Sequence, residues 1–350
     1  MPQPSNRPFW NEILAPYAQP CLRRSVLQIV TSVVPYLALS VLMYLLLGAG
    51  VSDLIVLALA VPTAGFLVRT FILFHDCSHG SLMPSKRANA YLGAFLGLFV
   101  LSPFRRWRHD HAVHHASSGD LERRGVGDVM TLTVSEYRAK AWRGRLGYRM
   151  LRNPFVMFGL GPVIAMVVGP RIVSRGARPR MRNSVLAMDV TLVVIVGGLC
   201  WLMGWSDFLL VWGPAALLAG STGIWLFYVQ HQFEDTFWAY NKTWNVHQAA
   251  LCGSSHYDLP VVLRWFTANI GVHHVHHLCS RIPFYRLPKA LRDHPDLANF
   301  GRLTLLQSLS CVRLVLWDEA ASRLISFGEL RARLSAGRRN QHAAAGQSLL

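Results

Sequence analysis

Histidines gathered in three tight clusters carry most of the chemical information in this chain. They read His75-Asp-Cys-Ser-His79, His111-Ala-Val-His114-His115 and His273-His274-Val-His276-His277. Within each cluster histidines recur at i, i+3 or i, i+4, spacings that share one face of a helix. Three imidazole-lined faces brought together make a polynuclear metal site. Imidazole suits iron, copper, nickel and zinc, so ligand type alone does not choose the metal. With 15 histidines in 350 residues, chance would give roughly 0.03 H-x-x-H-H boxes, and this chain has two. The boxes lie inside organised, hydrophobic flanks, unlike a tag or a low-complexity tract.

Such faces need a frame. The chain is 52% hydrophobic and 15% charged, with a mean hydropathy of +0.29, which is apolar for a soluble protein. Long runs account for it. Residues 26–49 and 208–230 carry no charge, 54–74 carry only Arg69, and 185–203 carry only Asp189. Each run is about long enough to cross a ~30 Å hydrocarbon core. The runs come in pairs a few residues apart, which predicts two transmembrane hairpins. The tight connections Gly48 to Asp53 and Gly204 to Asp207 hold no Lys or Arg, and all 35 basic residues except Arg69 lie in the N-terminal segment, the central loop or the C-terminal region. The positive-inside rule therefore predicts that these three regions, with all three boxes, are cytoplasmic. The expected fold is an all-α integral membrane protein, with four transmembrane helices in two hairpins and a cytoplasmic helical cap that holds the site. Arg69 is expected to snorkel from its span end.

The formal charge of +17 reads as topology and attraction to anionic lipid heads rather than as nucleic-acid binding. Six cysteines without paired spacing predict reduced thiols. Residues 1–25 lack a signal-peptide core, so they are expected to stay as a cytoplasmic segment. Residues 26–334 then form one membrane domain. The tail from 335 to 350, polar, basic and rich in Ala, Gly and Gln, is expected to be disordered. Two further apolar segments, 88–103 and 154–173, would split the boxes across the membrane if either crossed it, so interfacial or re-entrant placement is expected.

The first box follows directly on the second span, and the fourth span ends in Tyr228-Val-Gln-His231. Candidate ligands are therefore His75, His79, His111, His114, His115, His273, His276, His277 and His231. Two irons with four or five nitrogens each would use them all. A bundle di-iron site of the carboxylate type needs Glu-x-x-His pairs, and the chain has none. His274 would point away from the third box's ligand face and reads as a supporting or structural residue. His109, His247, His256, His294 and His342 read as ordinary residues. Ligating imidazoles need their second nitrogen held by an acceptor. Asp76, Asp110, Asp128, Glu234, Asp235 and Asp258 are near enough in sequence. Asn269, four residues before His273, either binds metal through water or caps a helix. A centre of this kind at a membrane surface fits O2 activation against a substrate dissolved in the bilayer, which is cofactor chemistry. Its basic surface could steer an acidic electron carrier.

These residues resemble the membrane fatty acid desaturases, and specifically their acyl-lipid (Δ12/ω-6-like) branch. The resemblance runs from about Phe74 to Pro288. Beyond the boxes it rests on the stretches His114 to Asp128, Tyr228-Val-Gln-His-Gln-Phe-Glu-Asp235 and Leu263 to Leu278. Three residues separate the histidines of the first box, as in acyl-lipid enzymes. The resemblance implies two non-haem iron ions held by the three boxes, with His231 as an additional ligand. It also implies O2 as oxidant, a cis double bond as product and an acyl-lipid substrate in the bilayer. No cytochrome b5-like segment is visible, so a ferredoxin-like or other external electron donor is implied, at a bacterial-type inner membrane. His247 and His256 depart from the family pattern.

Two other readings stand beside this one. A hydroxylase, ketolase or acetylenase would use the same scaffold. A transmembrane cytochrome would place paired histidines inside spans, and a metal transporter would place ionisable groups mid-span. Neither pattern is found here.

Overall fold

The computed structural model describes residues 9–173 and 176–347. The first eight and last three residues of the expected terminal segments lie outside that description. Among the described residues four helices are long and apolar enough to cross a membrane: Leu22–Gly48, Asp53–His79, Pro179–Met203 and Trp205–His231, here the first to fourth spans. A helix satisfies every backbone N–H and C=O within itself, as a bilayer core demands, and it tolerates the single internal prolines Pro35, Pro62 and Pro214. The second hairpin turns at Gly204, whose φ of +84° suits a residue without Cβ. The second and fourth spans continue past their apolar runs and end at His79 and His231. The histidines thus sit at the span ends opposite the two tight turns.

The second span is the centre of the bundle. Half of its apolar window is buried by protein, against 11% for the third span. It packs against the first and fourth spans and the helix Lys86–Phe99, with Leu67, Leu73 and Phe74 fully inside. The second box rides on the helix Phe104–Ser117. Next, Trp142–Leu151 and Val156–Arg171 form a pair of helices bent by 59°. The second member is wound in wide π-helical turns at Val156–Leu160 and Ile164–Val168, where Gly159, Gly161, Pro162 and Gly169 interrupt the apolar run. Arg171 fixes its end: Nε stands 3.1 Å from Asp189 of the third span, and the guanidinium donates to the carbonyls of Leu101 (2.7 Å) and Met166 (2.6 Å). The third span's single carboxylate therefore has a cationic partner.

One expectation is corrected. Arg69 does not snorkel. It is 2% exposed and donates to Ser32 Oγ at 3.1 Å, to Gln28 and to the Trp265 carbonyl, with its guanidinium 4.0 Å from the Trp265 ring centre. Polar groups of the first span and the loop before the third box meet it inside the protein, so it has no need of water. The last helix runs Phe327–Gln347, in keeping with the helix-forming Leu, Ala, Arg, Glu and Gln it contains.

Short strands tie the C-terminal region down. Leu132–Thr133 pairs in parallel with Leu316–Asp318, which pairs antiparallel with Arg323–Ile325; His256–Asp258 pairs in parallel with Arg302–Thr304. Arg152, 3% exposed, joins these layers to the fourth span. It donates to Tyr228 Oη (3.1 Å), Gln232 Oε1 (2.9 Å) and the carbonyls of Leu314 (2.9 Å) and Met130 (3.2 Å). Removing it strands buried acceptors, a cost of about 1.5–3 kcal/mol for a charged donor. Arg152→Met should therefore lower the apparent melting temperature in detergent by several degrees, read by thermal unfolding against the parent protein.

Candidate metal centre

The nine candidate histidines fall into two groups. His75, His79, His111, His115 and His276 form one, and His114, His231, His273 and His277 form the other; each offers one ring nitrogen, and within a group these nitrogens lie within 4.8 Å of one another. Four elements deliver them: the last turns of the second and fourth spans, the helix Phe104–Ser117, and the short helix His273–Leu278. In the first group Nε2 of His111 is 3.0 Å from that of His79 and 3.1 Å from that of His115, and Nε2 of His276 is 3.2 Å from that of His115. In the second, His273 Nε2 is 3.1 Å from Nε2 of both His231 and His277. Nε2 of His75 and of His114 is buried with no hydrogen-bond partner. Buried nitrogen lone pairs aimed at two small volumes fit cations. Ligands on opposite sides of an ion with bonds of ~2.1 Å stand about 4.2 Å apart.

At His75, His114 and His231 the outward nitrogen is held as a ligating imidazole requires, while Nδ1 of His273 and of His276 is buried without a partner. His75 Nδ1 donates to Asp76 (3.1 Å), His114 Nδ1 to Asp128 (2.5 Å) and His231 Nδ1 to the Gly253 carbonyl (3.0 Å). The other oxygen of Asp76 accepts from the Phe284 backbone N–H at 2.8 Å. Asp128 reaches its histidine because the loop crosses close over the helix at Gly127. Its φ is +68°, and a Cβ there would come within 3.1 Å of His114 Cβ and of the Asp110 carbonyl, so glycine is needed on both counts. Burial, and then the neighbouring imidazoles, hold His111, His115, His273, His276 and His277 well below the ordinary value of 6.5. They are neutral, the form that binds metal.

The remaining expectations separate on geometry. His274 is buried but faces away, donating from Nε2 to the Leu297 carbonyl at 2.8 Å. Beside it, His256 donates to the Ala298 carbonyl at 2.9 Å. His109 is exposed, and Glu234 and Asp258 pair with arginines. Asp110 is bound by Arg106 at 3.3 Å and holds no imidazole. Asn269 does not share the third box's helix. It precedes it in a left-handed turn, φ 57°, a conformation Asn adopts more readily than most residues.

Histidine spacing does not include Trp107, which lies four residues before His111 on the same helix face and stacks on its ring with centroids 4.3 Å apart, and it gives no hint of the Gly253 carbonyl. Trp107 walls an apolar cavity of about 470 Å³ between the second and fourth spans and the 156–171 segment, which ends on His75, His111 and His273. That size suits a small-molecule site.

A helical membrane frame, two clusters of buried imidazoles and an apolar cavity ending on them define the class of an oxidoreductase acting on lipid. Residues 19–307 match the family described as fatty acid desaturase. The chain is 44% identical over 318 residues to a fatty acid desaturase of Bacillus subtilis (strain 168), covering 91% of this chain and 90% of the relative. It is 29% identical over 230 residues to an sn-1 acyl-lipid omega-3 desaturase (ferredoxin) of Synechocystis sp., covering 63% and 62%. It is 27% identical over 246 residues to an sn-1 oleoyl-lipid 12-desaturase of the same organism, covering 64% of each. The chain belongs to the fatty acid desaturase family. It is an enzyme of lipid metabolism from a family that uses iron, and its histidine clusters fit that metal.

Two outcomes follow. Asp128→Asn should weaken metal retention about 10–100-fold, read as iron bound after graded chelation. In the metal-free protein, the depressed histidines leave the unfolded chain binding more protons below about pH 6.5, so stability falls with pH there. It should melt lower at about pH 5.5 than at pH 7.5.

Proposed function

We propose that the nine histidines hold two iron ions, five ligands on one and four on the other. The enzyme then inserts a cis double bond into the acyl chain of a membrane lipid. The reaction is of the Δ12/ω-6 type, oleoyl to linoleoyl, with O2 as oxidant and a ferredoxin-like carrier as electron donor. The observation that carries this reading is the apolar cavity that ends on members of both histidine groups. The likeness to a relative named as an oleoyl-lipid 12-desaturase supports the substrate class and bond position, and one named with ferredoxin supports the donor. The loading of basic residues onto one side of the hairpins supports a cytoplasmic site and cytoplasmic termini, and the likeness to a Bacillus subtilis relative supports a bacterial inner membrane.

The bound irons would supply O2 activation, chemistry no side chain offers. The protein's own residues do the rest. Leu67, Phe71, Ile72 and Phe227 line the cavity and keep water from the reacting methylenes. Trp107, stacked on His111, fixes one wall of the channel beside the ligands. Asp76, Asp128 and the Gly253 carbonyl orient His75, His114 and His231.

The test is fatty-acid profiling by mass spectrometry in a bacterial host fed saturated and monounsaturated chains, with iron counted on the purified protein. A new double bond, located after derivatisation and absent from His273→Ala and His114→Ala variants that still insert, is the expected result, with two irons per chain. Hydroxylated products would replace this reading by that of a hydroxylase. A profile unchanged even with an added ferredoxin system would refute it.

A further inference from the structure

The cavity can be measured along its two walls. Leu67 of the second span and Gly223 of the fourth both line it. Each precedes a cluster histidine of its own helix, His75 and His231, by eight residues. At 1.5 Å per residue that is about 12 Å from each ligand. At this shared depth the two walls differ. Leu67 is 1% exposed and fills its side. Gly223 presents no side chain, and a Cβ there would meet nothing within 4 Å. One turn farther from the histidines the situation reverses: a Cβ on Gly220 would strike Met166 Sδ at 2.7 Å and Pro162 Cβ at 2.8 Å. There the fourth span closes onto the 156–171 segment. The polar lining residues Arg106 and Asp110 lie at the other end, beside the second box. A chain with a polar head and an apolar tail therefore enters tail-first toward Gly220.

We infer that Gly223 determines chain-length specificity. Its missing side chain leaves the channel open about 12 Å beyond the ligands, and the Gly220–Pro162–Met166 contact is the floor. Together they limit how much chain can extend past the reacting carbons. The inference rests on the acyl-lipid reading proposed above. Gly223 is suited to a clean test because nothing packs on it and its backbone is helical, so a larger side chain enters the cavity and not a neighbour.

The experiment uses the full-length protein in host membranes fed acyl chains of graded length. It compares the parent with Gly223→Ala, Gly223→Leu and Gly213→Leu. Gly213 lies on the same span, is equally open, and does not line the cavity. The expected result is that the parent and Gly213→Leu share one chain-length profile. Gly223→Leu should lose its longest substrates by about tenfold or more, the scale on which an apolar pocket senses a methylene. It should keep shorter chains and its full iron content, with Gly223→Ala intermediate. An unchanged profile in Gly223→Leu, an equal loss at every length, or loss of iron overturns the inference. A parent that desaturates nothing under any donor withdraws the proposed function as well, whereas a working parent with an insensitive Gly223→Leu refutes only the length gate.

Discussion

Everything in this fold answers to one constraint: nine imidazoles must turn ring nitrogens inward, largely out of water, at the edge of a membrane. A buried imidazole with an unmatched N–H carries a desolvation cost, and one with both nitrogens satisfied by protein has no lone pair for a cation. Here one nitrogen points to the cluster, and at His75, His114 and His231 the other is held by a carboxylate or a carbonyl. These acceptors come from three different places: the adjacent residue, a loop bent at Gly127, and the end of a short helix at Gly253. The site is thus specified by a shell of backbone and carboxylate oxygens that the histidine spacing does not reveal.

The same constraint explains how polar groups are handled in the apolar frame. Arg69, Arg152 and Arg171 each sit at a junction between layers, and each turns its donors onto carbonyls, amides, hydroxyls or a carboxylate. Such guanidiniums act as multidentate clips between helix ends. They hold the second and fourth spans, the inserted 156–171 segment and the C-terminal strands in fixed relation, so that ligands from four elements arrive at one depth.

Most of the frame and much of the grouping of the histidines was legible in the sequence, because apolar length and histidine periodicity are local signals. The four spans, the two hairpins and the nine clustered histidines needed no tertiary information. What escaped was set by long-range packing. Trp107 became a wall only once the second-box helix met the second span. The four-residue spacing of Asn269 from His273 does not put the two on one helix, because Asn269 lies in a left-handed turn. Arg69 was read as reaching for water, and its partners came from residues far away in the chain. Asp128 stood among six plausible acids, and only the glycine turn beside it distinguishes it from salt-bridged neighbours such as Asp258.

The ligands' order along the chain has a consequence for biosynthesis. The five-histidine group draws on His75 near the start and His276 near the end, about 200 residues apart. At ribosomal rates of about 5–20 residues per second, roughly 10–40 seconds separate their emergence. Through that interval the first hairpin must wait in the bilayer with its imidazoles bare. Neither cluster can close on an ion until the second hairpin has inserted and the last box has been made. An ion held by these residues would therefore bind late, after insertion, and would fasten the two hairpins to each other.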